Sequence, residues 1–228
     1  MPVDLNARVT SLEKMDTFVD MARKIGFTGL AVSLPLGSPM IRTDSGVVIL
    51  ARIDLEGKKL DTLRKQVGHV RKQSVILSVP MRDTEISNWA AGDRRVDLLT
   101  LSEPTKDHVI RESTATLAAE AGIALEIPIA PLLASSGLDR SKILRVYRES
   151  VTTAMHAGMH IVLSSGATEP ILMRAPSAMW FVGTLLGMDR RQSREAAYSV
   201  PDQIVAASEH KMRTESVSPG VEIVKEDG

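Results

Sequence analysis

Val151-Thr152-Thr153-Ala154-Met155-His156-Ala157-Gly158-Met159-His160-Ile161-Val162-Leu163 decides the fold. Val151–Ala157 has the composition of a helix end, and a glycine just past it closes the last turn in the left-handed conformation. The Met159–Leu163 run that follows predicts a strand buried on both faces. The same order recurs as Phe18–Ile25, Gly26, Gly29–Val32 and as Thr116–Ala121, Gly122, Ile123–Ile127. Repetition of helix, glycine and short apolar run marks an α/β chain with a parallel sheet.

Further apolar runs at Val3–Leu5, Val47–Leu55, Ser74–Val79 and Val96–Leu101 bring the expected strands to about seven. Helical stretches lie between them at Leu60–Val70, Glu85–Ala91, Lys106–Ala121 and Leu138–Ala157, and Leu60, Leu63, Val67 and Val70 follow the spacing of a buried helix face. Beyond Ala167 the pattern is mostly helical, at Ser177–Leu186, Asp189–Tyr198 and Gln203–Met212, with Pro176 and Asp189 where helix starts prefer them. Strands alternating with helices and no linker predict a single TIM-like (β/α) barrel over residues 1–212, with extra C-terminal helices. A doubly wound sheet is the rival, but no Gly-x-Gly-x-x-Gly turn follows the first strand. The polar segment 213–228 is expected to be a flexible tail.

Composition narrows the function. At 43% hydrophobic residues the 228-residue chain can bury a large core, and at 3% aromatics it lacks rings for a base-stacking platform. It has no cysteine, which removes disulfides, thiolate metal sites and a cysteine nucleophile. No apolar run nears the roughly 20 residues of a membrane span, and Met1-Pro2-Val3-Asp4 does not read as a signal peptide; a cytoplasmic location is expected. Lys and Arg number 28, as do Asp and Glu. A stand-alone nucleic-acid binder carries a basic excess, so RNA contact here is expected through local patches within an assembly.

Two stretches join strands to knots of polar residues: Gly92-Asp93-Arg94-Arg95-Val96-Asp97-Leu98-Leu99, and Leu163-Ser164-Ser165-Gly166-Ala167 leading to Met173-Arg174-Ala175-Pro176. These resemble signature segments of the ribonuclease P protein component 3 family, and the resemblance runs from Val3 to about Val205. It implies a barrel related to the polymerase-and-histidinol-phosphatase superfamily that serves ribonuclease P without being catalytic itself. In that family the RNA subunit, which requires magnesium, removes the 5′ leader from precursor tRNA. The implied partners are the ribonuclease P RNA, protein component 2 in a dimer of heterodimers, the other protein subunits and, indirectly, the precursor tRNA. No cofactor or metal is expected on this chain. Related barrels end their first strand in His-x-His, whereas this chain reads Asp4-Leu5-Asn6, with an amide where many relatives place an imidazole; an amide is a poor transition-metal ligand. The five histidines, His69, His108, His156, His160 and His210, form no strong cluster in the sequence.

Three sets of residues are expected at an RNA interface. Ser164, Ser165 and Gly166 follow a strand and precede a short helical stretch, so their N–H groups are expected to point outward at a helix start and hold a phosphate; the alternative is a tight turn that merely closes the barrel. Arg174 adds a bidentate contact or instead pairs with an acid such as Glu169. Arg94 and Arg95 precede a strand, on the opposite, N-terminal face of a barrel, while Asp93 and Asp97 suit structural ion pairs. Lys58, Lys59, Arg64, Lys65, Arg71 and Lys72 make the densest positive stretch, on the outside of the Leu60–Val70 helix, with Arg190, Arg191 and Arg194 a weaker second one. The apolar residues of Ala175–Met188 serve the core or a protein partner. The competing readings are a barrel enzyme hydrolysing a phosphorylated small molecule at Ser164–Ala167, and a scaffold that binds only protein.

Overall fold

The glycine-punctuated runs become parallel strands. In the computed structural model, which describes residues 2–212, 216–218 and 221–222, they are β1 (Val3–Ala7), β2 (Gly29–Val32), β3 (Met40–Arg42), β4 (Val48–Asp54), β5 (Ile76–Pro80), β6 (Leu98–Thr100), β7 (Ala124–Pro128) and β8 (Ile161–Ser164). Seven run parallel in the order β1-β2-β4-β5-β6-β7-β8. The sheet nearly closes where Ala7 bridges Ala167: the Arg8 N–H donates to the Ala167 carbonyl at 2.8 Å and the Gly166 N–H to the Asn6 carbonyl at 2.9 Å. The barrel expected from the sequence is present.

Around it stand α1 (Met15–Lys24), α2 (Leu60–Arg71), α3 (Thr84–Gly92), α4 (Glu112–Ala121), α5 (Ala130–Ala134), α6 (Gly137–His156), α7 (Pro176–Leu185), α8 (Arg190–Arg194) and α9 (Val200–Met212). Gly158 closes α6 at φ 74°, as its position predicts. The sequence reading omits β3 and α5, each too short to show a period. β3 answers a bend in β4, which pairs with β2 through Val48–Ala51 and with β5 only through Arg52–Asp54; β3 takes the edge β5 leaves at Val48–Leu50. The helix expected over Lys106–Ala121 is two pieces, a 3-10 turn at Lys106–His108 and α4, because the chain turns inward between them to bury Ile110. The separate helices expected at Asp189–Tyr198 and Gln203–Met212 are one path. Asp189 caps α8 with a capping box, and a π-helical turn over Glu195–Ser199 leads into α9. There the Val200 N–H reaches the Glu195 carbonyl five residues back, which carries the helix past Pro201. Ser216–Ser218 and Val221–Glu222 pair antiparallel; the flexibility expected of 213–228 otherwise concerns residues outside those described.

Two cores follow from the alternation of strand side chains. One fills the space between sheet and helices, with Phe18, Leu63, Leu99, Leu125 and Tyr147 among its members. The other lies inside the barrel: Val3, Leu5, Ala31, Leu50, Ile76, Leu98, Ala124 and Val162. Two residues further along their strands, on the same face, come Arg52, Ser78, Thr100, Glu126 and Ser164, so the inner core is apolar toward the N-terminal ends and polar toward the C-terminal ends. Helix α9 closes the apolar end, packing Val200, Ile204, Val205 and Met212 against the inner cluster.

Candidate nucleic-acid interface

The polar layer inside the barrel is the first place to look for chemistry, since (β/α) barrels work at the C-terminal ends of their strands. Its centre is Arg52. The Arg52 guanidinium donates through Nη1 to Glu126 Oε1 at 2.8 Å and to the Leu5 carbonyl at 2.5 Å. Its Nη2 donates to Glu126 Oε2 and to Asp54 Oδ1, both at 2.7 Å, and Nε to Asp54 Oδ1 at 2.9 Å. Thr100 Oγ1 donates to Glu126 as well. Burial opposes the Arg52 charge, but Asp54 and Glu126 outweigh it and hold the guanidinium above its ordinary range. For the Asp54 carboxyl, burial is likewise outweighed by Arg52 and Arg8, which bring it below its usual range. Both carboxylates are held as ion-pair acceptors of Arg52.

At the seam, Asp4 Oδ1 accepts from the Ser165 N–H at 3.0 Å and the Asn6 N–H at 3.2 Å. Burial nonetheless pushes the Asp4 carboxyl above its ordinary range. Asn6 is fully buried, and neither of its side-chain polar atoms has a partner among the described residues. Among the described residues, no three His, Asp or Glu side chains converge as a bound ion requires; the His210 side chain lies outside the described set.

The Ser164–Ala167 turn is not the phosphate cradle expected. No helix follows it, only a 3-10 turn at Pro170–Leu172. Its N–H groups are already engaged: Ser165 with Asp4, Gly166 with the Asn6 carbonyl, Ala167 with Ser165 Oγ. Ser164 and Ser165 are fully buried and Gly166 shows only at the floor of a cleft with Arg8, Thr168 and Leu172, so the turn offers no free N–H to a phosphate, which counts against the phosphoester hydrolase reading. Gly166 is there for its backbone: φ is 61°, and a Cβ would lie 2.9 Å from Pro128 Cβ. Gly166→Ala is expected to cost about 1–3 kcal/mol, read as a lowered urea midpoint with an unchanged slope; an unshifted midpoint would show that the seam gives way freely.

The basic stretch divides. Arg71 leaves it: only 6% exposed, it pairs with Asp97 through Nη1 and donates from Nη2 to the Val75 carbonyl at 2.8 Å. Its chain position one turn past Val67 aims it at the start of β6 rather than at solvent. Lys58, Lys59, Arg64, Lys65 and Lys72 are exposed, and among the described residues the ion pair they make is Arg64 with Asp61 at 3.8 Å. Arg94 and Arg95 are exposed in the α3–β6 loop at the N-terminal end of the barrel, as their place before a strand predicts. Arg95 Nη1 would lie 3.6 Å from a Cβ built on Gly68, so this loop rests on α2 and extends its basic surface. Arg95 also grips Asp93 at 2.6 Å, and although burial opposes it, that contact lowers the Asp93 carboxyl. The structural pairings expected of Asp93 and Asp97 are both present.

Arg174 stands apart from that surface. Its Nη1 donates to the carbonyls of Ile171 at 2.9 Å and Met173 at 2.8 Å; Glu169 is taken by Lys14 at 2.7 Å. In the segment that follows β8, Ile171, Leu172, Phe181 and Leu185 are exposed, and Trp180 stacks on Phe181 with ring centroids 3.9 Å apart. The Arg52–Glu126–Asp54 cluster is what sequence reasoning missed. Its signal was available as one Arg inside the apolar run Val47–Leu55 and one Glu inside Ile123–Ile127, opposite charges in buried strands.

Comparison with known proteins agrees with this architecture. The family model for RNase P subunit p30 matches residues 1–213. Ribonuclease P protein component 3 of Methanosarcina barkeri is 26% identical over 217 residues, covering 93% of this chain and 90% of the relative. That of Haloarcula marismortui is 26% identical, covering 78% and 75%. Among solved structures, a chain of archaeal ribonuclease P with mature tRNA superposes with a TM-score of 0.79 at 19% identity, covering 99% of both chains. A prolidase solved with N-methylphosphonate-L-proline gives 0.52 at 12% identity, over 90% of this chain and 69% of the other, a likeness of barrel alone.

Proposed function

The chain belongs to the RNase P subunit p30 family, and from that premise we propose that it is a non-catalytic protein subunit of ribonuclease P, supporting removal of the 5′ leader from precursor tRNA by the RNA. The observation that carries the reading is the division of charge between the two ends of the barrel. Toward the C-terminal ends, Asp54 and Glu126 are locked on Arg52. At the other end, Lys72, Arg94 and Arg95 continue the row of Lys58, Arg64 and Lys65 along α2, a surface suited to sequence-independent phosphate contacts. Arg174 has nitrogens beyond Nη1 to offer a phosphate, at the opposite end.

On this reading the chain works with the ribonuclease P RNA and with protein component 2 as a dimer of heterodimers, beside the other protein subunits, and meets the precursor tRNA indirectly. The exposed apolar residues Ile171, Leu172, Phe181 and Leu185 suit a protein partner. Magnesium serves the RNA, and this chain binds no cofactor of its own. The complex works in the cytoplasm; among the described residues no helix is long and apolar enough to cross a membrane.

Reconstitution tests the assignment. Wild-type chain added to the RNA and the other subunits is expected to raise precursor-tRNA cleavage at limiting magnesium. Lys65→Ala/Lys72→Ala/Arg94→Ala is expected to lower that stimulation roughly tenfold at unchanged melting temperature, and to reduce the salt slope of RNA binding by about one per lost cation. Full stimulation by the triple variant would remove α2 and the α3–β6 loop from the interface. Failure of the wild type to stimulate would overturn the function.

A further inference from the structure

A second basic surface lies on the helical path between β8 and α9. Arg190, Arg191 and Arg194 line an open groove of about 560 Å³ with Glu195, Tyr198 and Ser199. We propose that this groove is a second docking site for the RNA sugar-phosphate backbone, a reading that rests on the ribonuclease P function above.

The charges are arranged at a cost to the helix. Arg190 and Arg194 are four residues apart, where like charges face each other and destabilise a helix by about 0.2–0.5 kcal/mol. Arg191 has an acid, Glu195 at 3.2 Å. Arg190 and Arg194 have none among the described residues, although Asp and Glu are as numerous in the chain as Lys and Arg. A pair of unneutralised guanidiniums fits two phosphates through sequence-independent charge contacts. The π-helical turn at Glu195–Ser199 brings Tyr198 and Ser199 into the same groove. Ser199 is exposed and offers a hydroxyl for a sugar or phosphate oxygen, while Tyr198 is half-buried against the core and shapes the groove wall. A sugar-phosphate backbone fits better than an acidic peptide because its evenly repeated charge also reaches the cations at the far end of α9.

Position supports the assignment. The groove adjoins a cleft lined by Gly158 and His160, which lie just before β8, at the N-terminal end of the barrel. Lys72, Arg94 and Arg95 are at that same end, before β5 and β6. Between the two surfaces runs α9, which covers the barrel end and reaches Asp97 through Lys211 at 2.9 Å. Its 13 residues span about 20 Å, so RNA that lies across this end meets cations at both ends of α9.

The test uses the reconstituted holoenzyme with wild-type chain, Arg190→Glu/Arg194→Glu and Arg190→Lys/Arg194→Lys. The Glu pair is expected to weaken assembly on the RNA at least tenfold and to lower the salt slope by about two; the Lys pair is expected to remain within threefold of wild type. All three should melt alike, since both positions are exposed. RNA affinity and salt slope unchanged in the Glu pair would overturn the groove while leaving the proposed function in place. Loss of a protein subunit from the complex at unchanged RNA affinity would assign the groove to an acidic protein surface and also overturn it. Wild-type chain that fails to stimulate the RNA would remove both readings.

Discussion

Arg52→Met is expected to destabilise the chain by about 3–5 kcal/mol, the usual cost of leaving one partner of a buried ion pair alone. The Arg52 and Glu126 side chains are fully buried, and Asp54 is 13% exposed. Methionine fills much of the volume but donates nothing, so Glu126 keeps only Thr100 Oγ1 and Asp54 loses both its short contacts to Arg52. For a domain of this size each kcal/mol moves the melting temperature by about 2–4 °C, so a fall of roughly 6–20 °C is expected in a calorimetric scan. The double variant Arg52→Met/Glu126→Leu separates pairing from packing. It is expected to recover a large part of the loss, because an apolar replacement of a buried pair is often near neutral. A single variant that melts within 2 °C of wild type would show that the barrel interior admits enough water to solvate Glu126 without its partner.

That cluster also marks where the sequence stopped being informative. Most strands were legible because they follow a glycine or carry a largely apolar run, and the helix starts because Pro176 and Asp189 have one strong local use each. Local signals of that kind do not report which side chains meet across the barrel. Arg52 and Glu126 are 74 residues apart, and Ser165 and Asp4 are 161 apart. The turn Ser164–Ala167 reads locally as an anion cradle, yet its donors are claimed by the first strand, because barrel closure brings Asp4 and Asn6 against it. Arg71 reads locally as one more cation of α2, and its burial depends on Asp97 arriving from β6. The exposed arginines were legible in identity and in which end of the barrel they occupy, since the place of a loop before or after a strand fixes its end. Their contiguity with α2 was not, because Arg95 resting near Gly68 depends on how the helices pack.

Asp97→Ala is expected to have the other large effect, and its action is regional rather than uniform. Asp97 Oδ2 accepts from Arg71 and from the Leu77 N–H at 2.8 Å, and Oδ1 from Ser208 Oγ and Lys211 Nζ, both at 2.9 Å. One carboxylate therefore joins α2, β5 and α9. Alanine leaves the Arg71 guanidinium buried with backbone carbonyls as its remaining partners, a loss of about 3–5 kcal/mol. It also releases the C-terminal half of α9, a helix that covers the apolar end of the barrel with Ile204, Val205 and Met212. Amide hydrogen exchange is expected to rise through α9 first, while β4 to β8 keep their protection. Asp97→Asn retains an acceptor for Leu77 and is expected to lose about half as much, because the charge that holds Arg71 and Lys211 is gone but the shape remains. Since Arg95 and the Arg190–Arg194 groove flank α9, the alanine variant should also weaken RNA binding by more than its folded fraction accounts for. Uniform exchange across the barrel, with α9 no faster than β6, would mean that α9 is held by its apolar face alone, and the carboxylate would then have no part in shaping the RNA-facing end.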